Sequence, residues 1–211
     1  QRQMCIRDSP EPATIPVITT VELAAMFPAV MDAVAICAYR LTLIMSDAGA
    51  ELIMLEMMSK VEPMIAVLDG VQRCGLPVWV GLSCKLDSEG VPRLYDGDKT
   101  IGEQTLADAI DILKGRNVPL LNIMHTEVSY IDACLNVVED MWPGLVGVYA
   151  HSGNYIDGKW IFNSVISPED YAVAAEGWHR RGVRLIGGCC GVGPDHIDLS
   201  LIHISEPTRL G

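Results

Sequence analysis

The residues most able to do chemistry are two adjacent cysteines inside a glycine frame, Gly187-Gly188-Cys189-Cys190-Gly191. On a straight strand their side chains would point to opposite faces. Two thiolates can serve one metal ion only where the backbone bends, and the flanking glycines permit that bend, including positive φ. Thiolate donors favour zinc, which takes four ligands. A thiolate pair needs at least one more protein donor, and His125, His151 and Cys84 are the candidates. Without a metal, the same pair would be two structural cysteines; spacing alone leaves both readings open.

These residues need a frame to hold them. Five short runs are almost continuously apolar: residues 52–55, 78–82, 118–123, 145–149 and 183–186. That is the pattern of parallel strands covered on both faces. Amphipathic stretches lie between them. The spacing predicts helices over 61–74, stopped by Gly75, over 103–114, stopped by Gly115, and over 128–141, followed by Pro143. The clearest start is Ser167-Pro168-Glu169-Asp170, with an N-cap hydroxyl, a first-turn proline and two acids at the positive end of the dipole. That helix is expected to run to Arg181 and stop at Gly182, and a longer one is expected over 23–47. The alternation is that of an α/β fold, either an open doubly wound sheet or the last five strands of a β/α barrel. Both place chemistry at the carboxyl ends of the strands. Glu56, Ser83, Cys84, Asn122, His125, His151, Ser152 and Asn154 all stand at or just after the carboxyl ends of strands, whereas the amino ends carry turn residues such as Pro77, Pro119 and Gly144.

Composition narrows the partners. Of 211 residues, half are hydrophobic and 20% charged, with 15 Lys+Arg against 27 Asp+Glu and a net charge of −12. The acidity argues against nucleic acid and anionic membranes, which need a basic face. The greasiest stretch, residues 24–45, is broken by Pro28, Asp32 and Arg40, so no membrane span is expected. No signal-peptide pattern opens the chain. The cysteines are therefore expected to be reduced and the location cytoplasmic, with Cys84 and Cys134 as packing residues. Trp79, Trp142, Trp160 and Trp178 show no cofactor spacing.

Both ends look foreign. One coding of residues 199–204 (LSLIHI) is CTG TCT CTT ATA CAC ATC, and its reverse complement, read one base in, encodes Met4-Cys5-Ile6-Arg7-Asp8. Residues 1–9 and 199–211 are therefore expected to be adapter-derived, leaving 10–198 as native. Removing the net +1 of the two ends leaves about −13.

The segment Gly187 to Ile197 (GGCCGVGPDHI) closely resembles the signature of the homocysteine S-methyltransferase family. Residues 48–58 (AGAELIMLEMM) resemble that family's fourth strand, 76–83 its fifth and 148–153 (VYAHSG) its seventh. The resemblance implies a (β/α)8 TIM barrel, truncated here to about strands 4–8, so this extent of chain is expected to be inactive and poorly soluble alone. It also implies zinc-dependent methyl transfer to the thiolate of homocysteine, giving methionine, with an unspecified methyl donor. The ligands implied are Cys189, Cys190 and a third cysteine directly after an Asn on strand six. Asn122 is instead followed by Ile123, and His125 is expected to replace the thiolate from two residues later, which requires the chain to curl. Glu56 matches the family's glutamate for the homocysteine ammonium; Asn122 and His151 are further expected substrate contacts, and His196 is expected to organise the last helix. No catalytic group beyond the metal-activated thiolate is implied. The alternatives are a divergent metal-free barrel that binds a small metabolite, or a component of a corrinoid-dependent methyltransferase.

Overall fold

The computed structural model describes residues 4–6, 31–95, 102–156, 159–163 and 165–205. Nine strands and six helices lie in them: β1 (Met4–Ile6), α1 (Met31–Asp47), β2 (Ile53–Met58), α2 (Val61–Val71), β3 (Val78–Leu86), β4 (Pro92–Leu94), α3 (Leu106–Leu113), β5 (Leu120–Glu127), α4 (Ile131–Met141), β6 (Leu145–His151), β7 (Asn154–Ile156), β8 (Lys159–Ile161), α5 (Pro168–Arg180), β9 (Leu185–Gly188) and α6 (Pro194–Ser205). Residues 23–30 of the expected first helix lie outside the described residues.

Five strands pair in parallel in the order β2-β3-β5-β6-β9, each beside its sequence neighbour among the parallel strands. A doubly wound sheet reverses direction at a switch point. This order never reverses, so it is a run of consecutive β/α barrel units. β1 adds three residues antiparallel to β9, and α6 continues to Ser205. Both elements enter the stretches assigned to adapters, an assignment that concerns codons and on which backbone conformation does not bear.

Local chemistry explains the boundaries. Ser167 accepts from the Asp170 N–H and caps α5. Gly75, Gly115 and Gly182 take φ of +76°, +78° and +92° at the predicted stops. The third helix starts later than its pattern suggested, because Thr105 and Asp108 form a reciprocal capping box. Two hairpins lie beyond the apolar pattern. β3 continues past Leu82 to pair with β4, and β7 pairs with β8.

The sheet buries both faces. Ile53, Leu55, Val80, Leu82, Leu121, Ile123 and Val148 pack outward against the helices in the large core. The alternate residues Met54, Leu120, Met124, Tyr149 and Leu185 form a second cluster on the inner face. The candidate site lies at the carboxyl end of that inner face. No helix among the described residues is long and apolar enough to cross a membrane.

Candidate metal centre

β9 ends at Gly188, and the chain then turns sharply. Cys189 N–H donates to the Ala150 carbonyl at 2.9 Å, Ser152 N–H to the Cys190 carbonyl at 2.9 Å, and Val192 N–H to the Cys189 carbonyl at 3.1 Å. Gly191 takes φ +76°, the bend the glycine frame predicted. A Cβ on Gly191 would overlap the Ser152 carbonyl, so only glycine allows the cysteine loop to lie this close to the end of β6. The turn is braced from behind. The Tyr171 hydroxyl of α5 donates to the Gly187 carbonyl, and burial pushes that phenol well above its usual range, so it stays a donor. His196 accepts from Gly193 N–H at Nδ1 and therefore carries its proton on Nε2, which donates to the Ile166 carbonyl at 2.9 Å. It organises the start of α6, as expected. The result is two neighbouring thiols with sulfurs 3.9 Å apart.

The third side chain of the group comes from β5, by an irregularity of the ladder. β5 pairs regularly with β6 as far as Met124↔Tyr149 and resumes at Glu127↔His151, leaving His125 at a bulge. His125 has φ +45°, uncommon for a residue with a Cβ. Its imidazole faces the thiols, with Nδ1 3.5 Å from Cys189 Sγ. His125, Cys189 and Cys190 form a group whose ligand atoms all lie within 4.8 Å of one another.

A thiolate directly after Asn122 would stand at Ile123, which packs in the helix-facing core and cannot face the two cysteines. His125, two residues later, does face them, with Nδ1 3.5 Å from Cys189 Sγ. The curl is real, but it is a bulge within the strand.

His151 joins the group from β6. Its ring lies 4.8 Å from that of His125, and its Nε2 is 3.3 Å from Glu127 Oε2. Glu127 and Thr126 escaped the sequence reading; only the register after the bulge brings Glu127 opposite His151. Asn122 is fully buried on the inner face, in the space left by the missing Cβ of Gly147. Its Nδ2 and Oδ1 have no hydrogen-bond partner among the described residues. Glu56 is buried near the carboxyl end of β2, at the other end of the parallel sheet, beside a second bulge at Met57 (φ +57°). The structure thus gathers His125, His151, Cys189 and Cys190, and places Asn122 and Glu56 elsewhere on the strands. Cys84 is not part of the group: it is buried in the helix-facing core. Its interaction with Cys134, with burial second, pushes its thiol well above the ordinary range.

The Cys190 thiol is pulled down to about 4. The largest cause is the Cys189 thiol hydrogen-bonded to it, followed by the His125 ring; burial opposes both. A depressed thiol stays ionised as the pH falls toward its pKa, so Cys190 remains a thiolate through the neutral range. In the metal-free chain, alkylation of Cys190 by iodoacetamide is expected to hold its rate from about pH 8 to about pH 6, where an ordinary thiol slows roughly 100-fold. Mass spectrometry of the Cys190 peptide reads the rate, and a tenfold fall per unit would show a protonated Cys190.

The chain is similar to known proteins over most of its length. The model of the family described as homocysteine S-methyltransferase matches residues 4–199. Homocysteine S-methyltransferase 3 of Zea mays is 26% identical over 159 residues, covering 73% of this chain and 44% of that protein. Homocysteine S-methyltransferase YbgG of Bacillus subtilis is 31% identical over 83 residues, covering 39% of this chain and 26% of that protein. The metallated form of the homocysteine methyltransferase MmuM from Escherichia coli superposes with a TM-score of 0.61 at 20% identity, over 85% of this chain and 52% of that one, which shows a shared fold. The chain spans less than half the length of the maize relative. With its parallel strands in barrel order, its glycine-framed cysteine pair and a family match from residue 4 to residue 199, this chain belongs to the homocysteine S-methyltransferase family.

Proposed function

We propose that the protein carrying this chain transfers a methyl group to the thiolate of homocysteine, giving methionine, with zinc held by Cys189, Cys190 and His125. One observation supports the zinc reading above the others. Zinc bonds of about 2.3 Å to sulfur and about 2.0–2.1 Å to nitrogen, at tetrahedral angles, require ligand edges of about 3.8 Å for S···S and about 3.5 Å for S···N. The sulfurs of Cys189 and Cys190 are 3.9 Å apart, and His125 Nδ1 is 3.5 Å from Cys189 Sγ. A disulfide would need about 2.05 Å.

Zinc in such a site supplies a lowered pKa for a bound thiol, whose free value is about 8.5, so that homocysteine is a thiolate at neutral pH. Cys189, Cys190 and His125 would hold the ion and leave it able to accept a substrate sulfur. The substrate thiolate then forms its S–C bond as the donor's bond to the methyl group breaks. The chain's own residues bind and orient. Glu56 is the carboxylate for the substrate ammonium. Asn122 offers a buried amide whose unmet hydrogen bonds a polar substrate group or a bridging water would complete. His151 lines the centre beside His125. With imidazole in place of a third thiolate, the donor set carries one negative charge fewer. The substrate thiol should ionise more readily, and its sulfur should be a weaker nucleophile.

Atomic absorption on the purified longer protein tests the metal, and a homocysteine-to-methionine assay on the same protein tests the reaction. About one zinc per chain is expected. His125→Ala should weaken zinc binding about 100-fold, and His125→Cys should restore it. A chain that takes up no zinc, or a His125→Ala chain that binds it undiminished, would overturn the assignment.

A further inference from the structure

We propose that Thr126 is a positioning residue for the metal ligand His125, acting by holding the bulge that turns the imidazole inward. The proposal rests on the Cys189–Cys190–His125 reading.

Simple alternation puts residues 120, 122 and 124 of β5 on the inner face and 121 and 123 on the outer one. Residue 125 would then point at the helices, away from the cysteines. The bulge reverses this, and it breaks the ladder just where the chain is buried on both sides. After Ser83↔Met124 the register between β3 and β5 stops. The backbone groups beyond that point need other partners, because an unpaired buried amide or carbonyl costs about 1–3 kcal/mol.

Thr126 supplies them. Its hydroxyl accepts from Cys84 N–H at 3.0 Å and donates to the Met124 carbonyl at 2.8 Å. One side chain thereby bridges the two strands across the bulge with one bond accepted and one donated. Ser83 adds a second clamp, its hydroxyl donating to the His125 carbonyl at 3.3 Å. Thr126 and Ser83 are both fully buried. These bonds fit the bulged backbone, with His125 at φ +45°; they would be lost if β5 straightened and returned His125 to the outer face. The hydroxyls hold the conformation that points the donor at the metal and touch neither metal nor substrate themselves.

Thr126→Val keeps the shape and removes both bonds, whereas Thr126→Ser keeps them. Zinc affinity, measured by competition with a chelating dye, is expected to fall about 10–100-fold in Thr126→Val and to stay within about threefold of the parent in Thr126→Ser, the range seen for partners that orient metal ligands. The cobalt-substituted Thr126→Val chain should show the same altered visible absorption as cobalt-substituted His125→Ala. In a His125→Ala background, Thr126→Val should cost no further affinity, because the group it orients is gone. Ser83→Ala, a milder change, should weaken zinc in the same direction and keeps the test alive if Thr126→Val fails to fold. Unchanged zinc affinity in both Thr126→Val and Ser83→Ala overturns the proposal, as does an equal loss with and without His125. Undiminished zinc binding by His125→Ala alone would instead overturn the ligand set on which the proposal depends.

Discussion

Replacing Cys190 by alanine is expected to lower zinc affinity by about 1,000-fold, the largest loss of any single change in this chain. Zinc–thiolate sites built from side chains bind with about 10–16 kcal/mol, so one thiolate among three protein donors is worth about 4 kcal/mol, which is about three powers of ten. Cys190 is the strongest choice because its thiol, pulled down to about 4, is already ionised and gives up almost no proton on binding. Alanine leaves Cys189 and His125, a pair at 3.5 Å that cannot enclose an ion. Atomic absorption after dialysis against a weak chelator should find about one zinc per parent chain and almost none per Cys190→Ala chain. Equal retention by the two chains would mean that the ion is held elsewhere.

Gly191→Ala is expected to have the largest effect on stability. Two costs combine. A left-handed backbone at φ +76° costs a residue with a Cβ about 1–2 kcal/mol. The new Cβ would also overlap the Ser152 carbonyl, a backbone atom that cannot rotate away. Relief requires the cysteine loop to move off β6, breaking the 2.9 Å bond from Ser152 N–H to the Cys190 carbonyl. The expected loss is about 3 kcal/mol, or about 6–12 °C in Tm for a chain of this size, together with most of the zinc affinity. Gly193→Ala is the control, since its nearest neighbour would be His196 Nδ1 at 4.0 Å. It should melt within a few degrees of the parent. A Gly191→Ala chain that melts with the control and keeps its zinc would show that the close approach is dispensable.

The parts legible in the sequence share one property: their causes are local. Continuous apolar runs identify strands covered on both sides, and all five parallel strands lie on them. Ser167 caps and Gly75, Gly115 and Gly182 stop their helices through bonds and φ values made within a few residues. The cysteine pair was legible because its glycines are its immediate neighbours. The hairpin β3–β4 was not, since its pairing depends on residues around Arg93 and Thr105, with Arg93 tied to Asp87 at 2.6 Å. Cys84 illustrates the limit of strand-end reasoning. It stands at the correct end of β3 but on the face that meets Cys134.

His125 divides the two levels most sharply. The sequence by itself determined that this is an α/β chain with reactive residues at the strand ends, that Cys189 and Cys190 stand in a flexible frame, and that an imidazole on β5 was available to them. Only the tertiary structure decided that the imidazole faces the thiols. A period of two sends residue 125 outward, and what turns it inward is a bulge stabilised across strands by Thr126, Ser83 and Cys84, through bonds that each join residues 42 positions apart along the chain. A side chain's face follows from backbone alternation as long as the ladder is regular; where the ladder breaks, the neighbouring strand sets it, through hydrogen bonds that no local pattern encodes.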